Sequence, residues 1–199
     1  MAAAGYLFNE RVPSGILIAQ AVGITTSVFL AGQNAAFSYA TVPALLEAPA
    51  PLAARQWKKV FDLGKKVGPI LAVAGTIATG YLASQQDTSS LPFKLNLAAT
   101  IIFPSIIPYT LAFMKPTNNK LLSKADSLAS TELSNKAAEA GVTQSETVHA
   151  LLDKWATLNL ARALITCVGA LCAVWAAIDK REAVGFSKAA LKTGANRMG

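Results

Sequence analysis

Charge is what this sequence has least of. Only 15% of its residues are charged, against about 25% in average soluble domains. Histidine is nearly missing: His149 stands alone. With no His/Cys/carboxylate cluster at ligand spacing, the sequence offers no metal site. His149 and Asp153 are one helical turn apart, but two ligands do not make a site. The two cysteines, Cys167 and Cys172, point about 140° apart on a helix at 100° per residue. They cannot form a disulfide with each other and read as small apolar core residues. There is no Gly-x-Ser-x-Gly elbow and no phosphate-binding glycine loop. The pair Gly75 and Gly80 reads as helix packing. The net charge of +7 and pI near 9.5 do not indicate nucleic acid, because no soluble module interleaves basic and stacking aromatic residues.

What the chain has instead is long runs without charge. No Asp, Glu, Lys or Arg occurs in Val12 to Leu46, Val67 to Gln86, Leu95 to Met114 or Ala163 to Ile178. A bilayer core of about 30 Å takes roughly 20 apolar residues as helix. Four such runs predict an all-α membrane protein, a four-helix transmembrane bundle. The spans are expected at about 15–37, 67–84, 95–114 and 155–178. A short N-terminal segment (1–14) precedes them and does not read as a signal peptide. A soluble loop (115–153) joins spans 3 and 4, and a basic tail (179–199), expected to be poorly ordered, follows. The basic residues beside the spans suit anionic headgroups. Ten Lys and Arg lie on the side of the 1–2 and 3–4 loops and seven on the other, Arg162 excluded. That bias places those two loops on the cytoplasmic side.

Span 1 carries Gln20, Gly23, Thr25, Thr26, Ser27, Gly32, Gln33 and Asn34, a composition that favours close helix contacts and a central place in the bundle. Pro43, Pro49 and Pro51 are expected to break the helix. From Arg55 to Lys66, Trp57, Val60, Phe61 and Gly64 share one side with lysines mostly opposite, which predicts a short interfacial helix. Pro104 and Pro108 should interrupt span 3. Leu121, Leu122, Ala125, Leu128, Ala129 and Leu133 predict an amphipathic helix ending near Gly141. Thr143 to Glu146 fits a capping box for a last helix that continues to Ile178.

The most telling stretch is Trp155 to Arg162. Trp155, Asn159, Arg162 and Thr166 fall at i, i+4, i+7 and i+11, one face of a helix. An arginine at the head of a span is costly unless it snorkels to the headgroups or faces a polar site. Its five donors suit an enolate, phenolate or carboxylate. Each companion has an ordinary reading: Trp155 as an aromatic-belt residue, Tyr109 and Thr110 as bundle hydrogen bonding, Gln33 and Asn34 as links between helices, and His149 as an interfacial histidine. Three functions stay open on the residues alone: an enzyme, a non-catalytic scaffold or assembly partner, and a transporter. The transporter is the poorest fit, since no pair of broken-helix repeats is present.

Taken together, Pro43 after a glycine-bearing span, Trp57, Pro108-Tyr109-Thr110, Pro116-Thr117-Asn118 and Trp155-x3-Asn159-x2-Arg162 resemble the anthrone oxygenase-like family over nearly the whole chain. Asn159 stands where many bacterial members carry histidine, and the asparagine form looks like the fungal polyketide-pathway branch. The resemblance implies oxidation of a small hydrophobic polycyclic anthrone to its anthraquinone, with molecular oxygen as co-substrate and no cofactor or metal. It implies that Arg162 holds the anthrolate oxygen, oriented by Asn159 and Asn118. Tyr109, Thr110, Thr117, Trp155, Gln33 and Asn34 would shape the substrate site. The base is left among His149, a substrate phenolate and water. The expected setting is a multi-pass protein of an endomembrane, the endoplasmic reticulum being the guess. The lipid bilayer would be its partner, nucleic acid would not, and self-association is left open.

Overall fold

In a computed structural model, residues 12–179 are described. The N-terminal segment up to residue 11 and the tail from residue 180, including its expected lack of order, lie outside them. Four helices carry the fold: α1 (Ser14–Leu46), α2 (Ala50–Ser84), α3 (Leu91–Ser127) and α4 (Val148–Ile178). All four are long and apolar enough to cross a membrane, and the protein is a multi-pass membrane protein. At 1.5 Å per residue they measure about 46–56 Å, well beyond the ~30 Å hydrocarbon layer. Each helix therefore extends past the lipid core.

The helices form a ring in which α1 packs on α2 and α4, and α3 packs on α2 and α4. Span 1 is thus one of four equivalent corners, not a central helix. Of its small and polar residues, Gly23, Ser27 and Asn34 are buried in those contacts, while Thr25 and Gly32 face outward. The periphery is apolar, with Ile18, Phe29, Ile70, Ile77, Ile101, Leu164, Leu171 and Trp175 exposed, as a lipid-facing surface requires. Inside the lipid level the contacts are made by small residues. A Cβ on Gly75 would lie 3.2 Å from the Phe103 ring, and one on Gly169 only 2.6 Å from it. Phe103 is wholly buried, so two glycines make the space for one aromatic side chain. The largest apolar cluster lies at the end carrying the α1–α2 and α3–α4 connections. Val42, Leu45, Trp57, Met114, Leu121, Leu152 and Trp155 belong to it. Helix ends that leave the lipid meet water, and there the hydrophobic effect can drive a conventional core.

Several expected boundaries move. Pro43 does not break α1, which passes through a π-helical turn at Phe37–Thr41 and stops after Leu46. The break comes at Pro49, whose extended backbone caps α2 while Pro51 occupies its first turn. A proline there costs nothing, since that N–H has no helical acceptor. Arg55 to Lys66 is helical with its lysines outward, but it is continuous with span 2, and Trp57 is fully buried rather than set in an aromatic belt. Pro104 and Pro108 stay within the α-helical part of α3, and the irregularity appears just after them as a π-helical turn at Thr110–Met114. The amphipathic helix is the end of α3 and stops at Ser127. Leu133 and Gly141 fall in a turn-rich segment, Gly141 with a positive φ of 83°.

Glu146 does not close a capping box. It pairs with Lys120 at 2.8 Å, and that cation holds its carboxyl below the usual carboxylate range. The true cap of α4 is Thr147, whose Oγ1 accepts from Ala150 N at 3.3 Å. Both Glu139 carboxylate oxygens accept from Val148 N, at 2.9 and 3.1 Å, and Lys124 pairs with Glu139 at 2.8 Å. A carboxylate at a helix N-terminus complements the unpaired N–H groups and the dipole there. It ties the α3–α4 connection to the start of α4.

Candidate active site

The ring of helices encloses a cavity of about 210 Å³ at the level where the charge-free runs begin. α1 contributes Leu30, Asn34 and Phe37, spaced i, i+4 and i+7. α2 contributes Val60, Phe61, Gly64, Lys65, Gly68 and Pro69. α3 contributes Ile106, Ile107, Thr110, Leu111, Met114 and Asn118, and α4 contributes Trp155 and Arg162. Phe37 tilts against Trp155 with ring centroids 5.3 Å apart, and Trp57 meets Trp155 edge-on at 6.0 Å. Both π-helical turns sit at this level, and Phe37, Thr110 and Met114 within them face the cavity. Such turns insert a residue into a helix and recur at functional sites.

Arg162 is largely buried and does not snorkel. Its Nη2 donates to Asn159 Oδ1 at 2.7 Å, and Asn159 Nδ2 donates to the Trp155 carbonyl at 2.8 Å. The amide thus fixes the guanidinium to its own helix and spends both its ends doing so. Asn159 is wholly buried and does not line the cavity. Among the described residues no ion pair includes Arg162, and its Nε is buried without an acceptor. Asn34 Nδ2, Asn118 Oδ1 and Trp155 Nε1 are likewise buried without partners. Buried polar atoms are nearly always hydrogen-bonded, so four such atoms around one cavity describe a site for a polar or anionic group between apolar walls.

The candidates from sequence divide accordingly. Arg162, Asn118, Trp155, Thr110 and Asn34 line the cavity. Tyr109, Thr117 and Gln33 do not. The Tyr109 hydroxyl donates to the Leu158 carbonyl at 3.1 Å, and Ser38 Oγ donates to the Ala156 carbonyl at 2.7 Å. These two hydroxyls brace α4 between Trp155 and Arg162. Thr117 is buried beside Asn118, and Gln33 Oε1 is buried without a partner outside the cavity. His149 is farther off. Thirteen residues above Arg162 on the same helix, it lies about 20 Å along the axis, with Nε2 2.9 Å from the Ala48 carbonyl. It borders a second, larger hollow of about 670 Å³ between the α1–α2 link and the α3–α4 connection. That hollow holds no aromatic wall and is a surface cleft. Reading by sequence missed Phe37, Phe61, Gly64, Gly68, Met114 and Lys65. Lys65 was hidden within a basic face, yet it borders the cavity while pairing with Asp62 at 2.6 Å.

Residues 57–172, more than half of the chain, match the family model described as anthrone oxygenase. The chain belongs to the anthrone oxygenase family. The matched span contains Trp155, Asn118 and Arg162 but leaves out the α1 wall. The chain is 33% identical over 157 residues to anthrone oxygenase AgnL2 of Paecilomyces divaricatus, covering 77% of this chain and 91% of that one. It is 31% identical over 173 residues to anthrone oxygenase encC of Aspergillus fumigatus, covering 81% and 93%. It is 29% identical over 153 residues to the noranthrone monooxygenase of Aspergillus flavus, covering 75% and 69%. No solved structure matches the chain. As a member of this family it is an oxygenase of the membrane.

Proposed function

We propose that this protein converts a polycyclic anthrone to its anthraquinone with O2 inside the α1–α4 cavity, in aromatic polyketide biosynthesis. The observation that carries the reading is Arg162, a half-buried guanidinium without a carboxylate partner and with its Nε buried, held at the wall of an aromatic-lined cavity. A fixed cation in a low-dielectric site stabilises an anion far more than water-exposed charge does. An anthrone becomes such an anion by losing a proton from the methylene opposite its ketone, which places the negative charge on oxygen. Arg162 holds that oxygen, and Asn159 fixes the guanidinium. Trp155 and Phe37 wall the rings, while Asn34, Asn118 and Trp155 Nε1 offer partners to ring oxygens.

The electrons balance without a further reagent. Turning the methylene into a carbonyl releases four electrons, and O2 takes all four. One oxygen atom becomes the new carbonyl, and the other leaves as water with the two methylene protons. The anthrolate is the reductant, so the protein's part is to favour the anion and admit O2. We propose that neither metal nor flavin takes part. In support, no group of three or more His, Cys, Asp or Glu side chains converges among the described residues. No carboxylate or imidazole borders the cavity, so the proton leaves to water or to a phenolate of the substrate. Purified protein in detergent, given an anthrone under air, should form quinone faster than the autoxidation control and be unaffected by chelators. No acceleration would overturn the function, and stoichiometric iron or copper would overturn the cofactor-free chemistry.

A further inference from the structure

The cavity is covered unevenly around its border. On α1 and α4 no border residue is exposed: Leu30 (1%), Asn34 (2%) and Trp155 (2%) are buried, and Phe37 and Arg162 are half-buried. Its exposed border residues all belong to α2 and α3: Lys65, Pro69, Ile107 (45%) and Leu111 (59%). Charge stops at Lys66 on α2 and resumes at Lys115 on α3. Pro69, Ile107 and Leu111 are thus on the hydrocarbon side of that boundary, and Lys65 marks it. An opening with an apolar border at this depth faces acyl chains just below the headgroups.

The floor of the opening is made by glycine. Gly64 and Gly68 are one turn apart and both border the cavity. A Cβ on Gly64 would meet Phe37 Cζ at 3.3 Å, whereas one on Gly68 would meet nothing within 4 Å. This differs from Gly75 and Gly169, where a neighbouring ring fills the space. The space at Gly68 is left open, and it borders the same cavity as Asn34 and Asn118, 2% and 8% exposed, whose Nδ2 and Oδ1 have no partner.

We propose that the cavity loads sideways from the bilayer, through a slot between α2 and α3 over the Gly64–Gly68 floor. The proposal rests on the oxygenase reading only for the cargo, a flat apolar polycycle that partitions into lipid. Lys65, at the headgroup border, meets an oxygen-bearing edge of that polycycle as it passes, while the rings travel over glycine.

A gate differs from a contact in its kinetics. Narrowing a gate slows entry and exit by the same factor and leaves Kd unchanged, whereas losing a contact mainly raises the dissociation rate. The test uses proteoliposomes of the full chain carrying Trp175→Phe, which removes a lipid-facing fluorophore. Quenching of tryptophan emission by an anthraquinone then reports filling of the cavity beside Trp155. The double variant Ile107→Phe/Leu111→Phe should slow association and dissociation by about tenfold each, with Kd kept within about twofold. Gly68→Phe should block filling. Ile70→Phe, on the lipid face outside the cavity, should change nothing. Turnover of an anthrone is measured in parallel. Unchanged rates in both slot variants with normal turnover overturn the slot and leave the oxygenase standing. Absent turnover with quinone entry slowed by the double variant retains the slot and removes the oxygenase. No quenching in the parent protein overturns the slot. Ile107 and Leu111 already face outward, so the double variant decides the matter even if Gly68→Phe does not fold.

Discussion

Replacing Arg162 by glutamine removes a charge from the cavity while keeping a polar, though shorter, side chain. Three things change at once. The substrate oxyanion loses its fixed cation, Asn159 Oδ1 loses the 2.7 Å bond from Nη2, and a neutral amide takes the place of the unpartnered Nε. Removing one donor to a developing oxyanion lowers kcat by about 10²–10³-fold, or about 2.7–4 kcal/mol. We expect a loss of that size for Arg162→Gln. Stability should respond differently. Losing a charge-assisted hydrogen bond costs about 1.5–3 kcal/mol, but the buried, unpaired cation is itself destabilising. The two effects oppose one another, so the unfolding midpoint should move little while activity collapses. Arg162→Lys keeps the charge but not the planar fork and should fall between the parent and glutamine. The assay is initial quinone formation against the autoxidation blank, with thermal unfolding in the same detergent. Arg162→Gln with kcat/KM within about twofold of the parent would refute the argument, because no oxyanion donor of this kind is that dispensable.

Asn159→Asp sets a carboxylate where the amide accepts from Arg162. The guanidinium is then neutralised in place, so anthraquinone affinity and turnover should both drop at least about tenfold with the helical content retained. Turnover at the parent rate would show that the free charge of Arg162 is not used. His149→Ala should leave turnover within about twofold of the parent, since His149 lies about 20 Å along α4 from Arg162; a loss of about tenfold or more would restore it as the base. Gly169→Ala forces a Cβ to within 2.6 Å of the buried Phe103 ring. Overpacking of this kind costs about 1–3 kcal/mol, read as a lower unfolding midpoint, and Gly169→Ala combined with Phe103→Leu should recover part of it. A Gly169→Ala protein as stable as the parent would contradict the close contact.

The spans were legible because the bilayer acts on the sequence one segment at a time. A run without charge long enough to cross hydrocarbon is visible without knowing its neighbours. Arg162 was legible for the same reason, as a violation of that rule. The errors came where one helix's behaviour depended on others. Trp57 carries the composition of an interfacial anchor, yet it is buried because Trp155 and Phe61 come to meet it. Pro43 and Pro108 look like breaks, yet both helices run on through them, each with a π-helical turn close by at Phe37–Thr41 and Thr110–Met114. Tyr109 looks like a wall of the site and is a brace, since its hydroxyl meets α4 and not the cavity.

By itself the sequence determined the membrane class, the four crossings, the family likeness and the presence of one expensive arginine. Each follows from local composition or from residues in order along the chain. Only the packing of four helices decided that this arginine faces inward without a counter-ion, and that Asn159 holds it. Packing also set His149 apart from the cavity, pressed Phe37 against Gly64 and left Gly68 beside open space. Those facts depend on which faces meet across the ring, and a helix seen alone has no means of recording what stands opposite it.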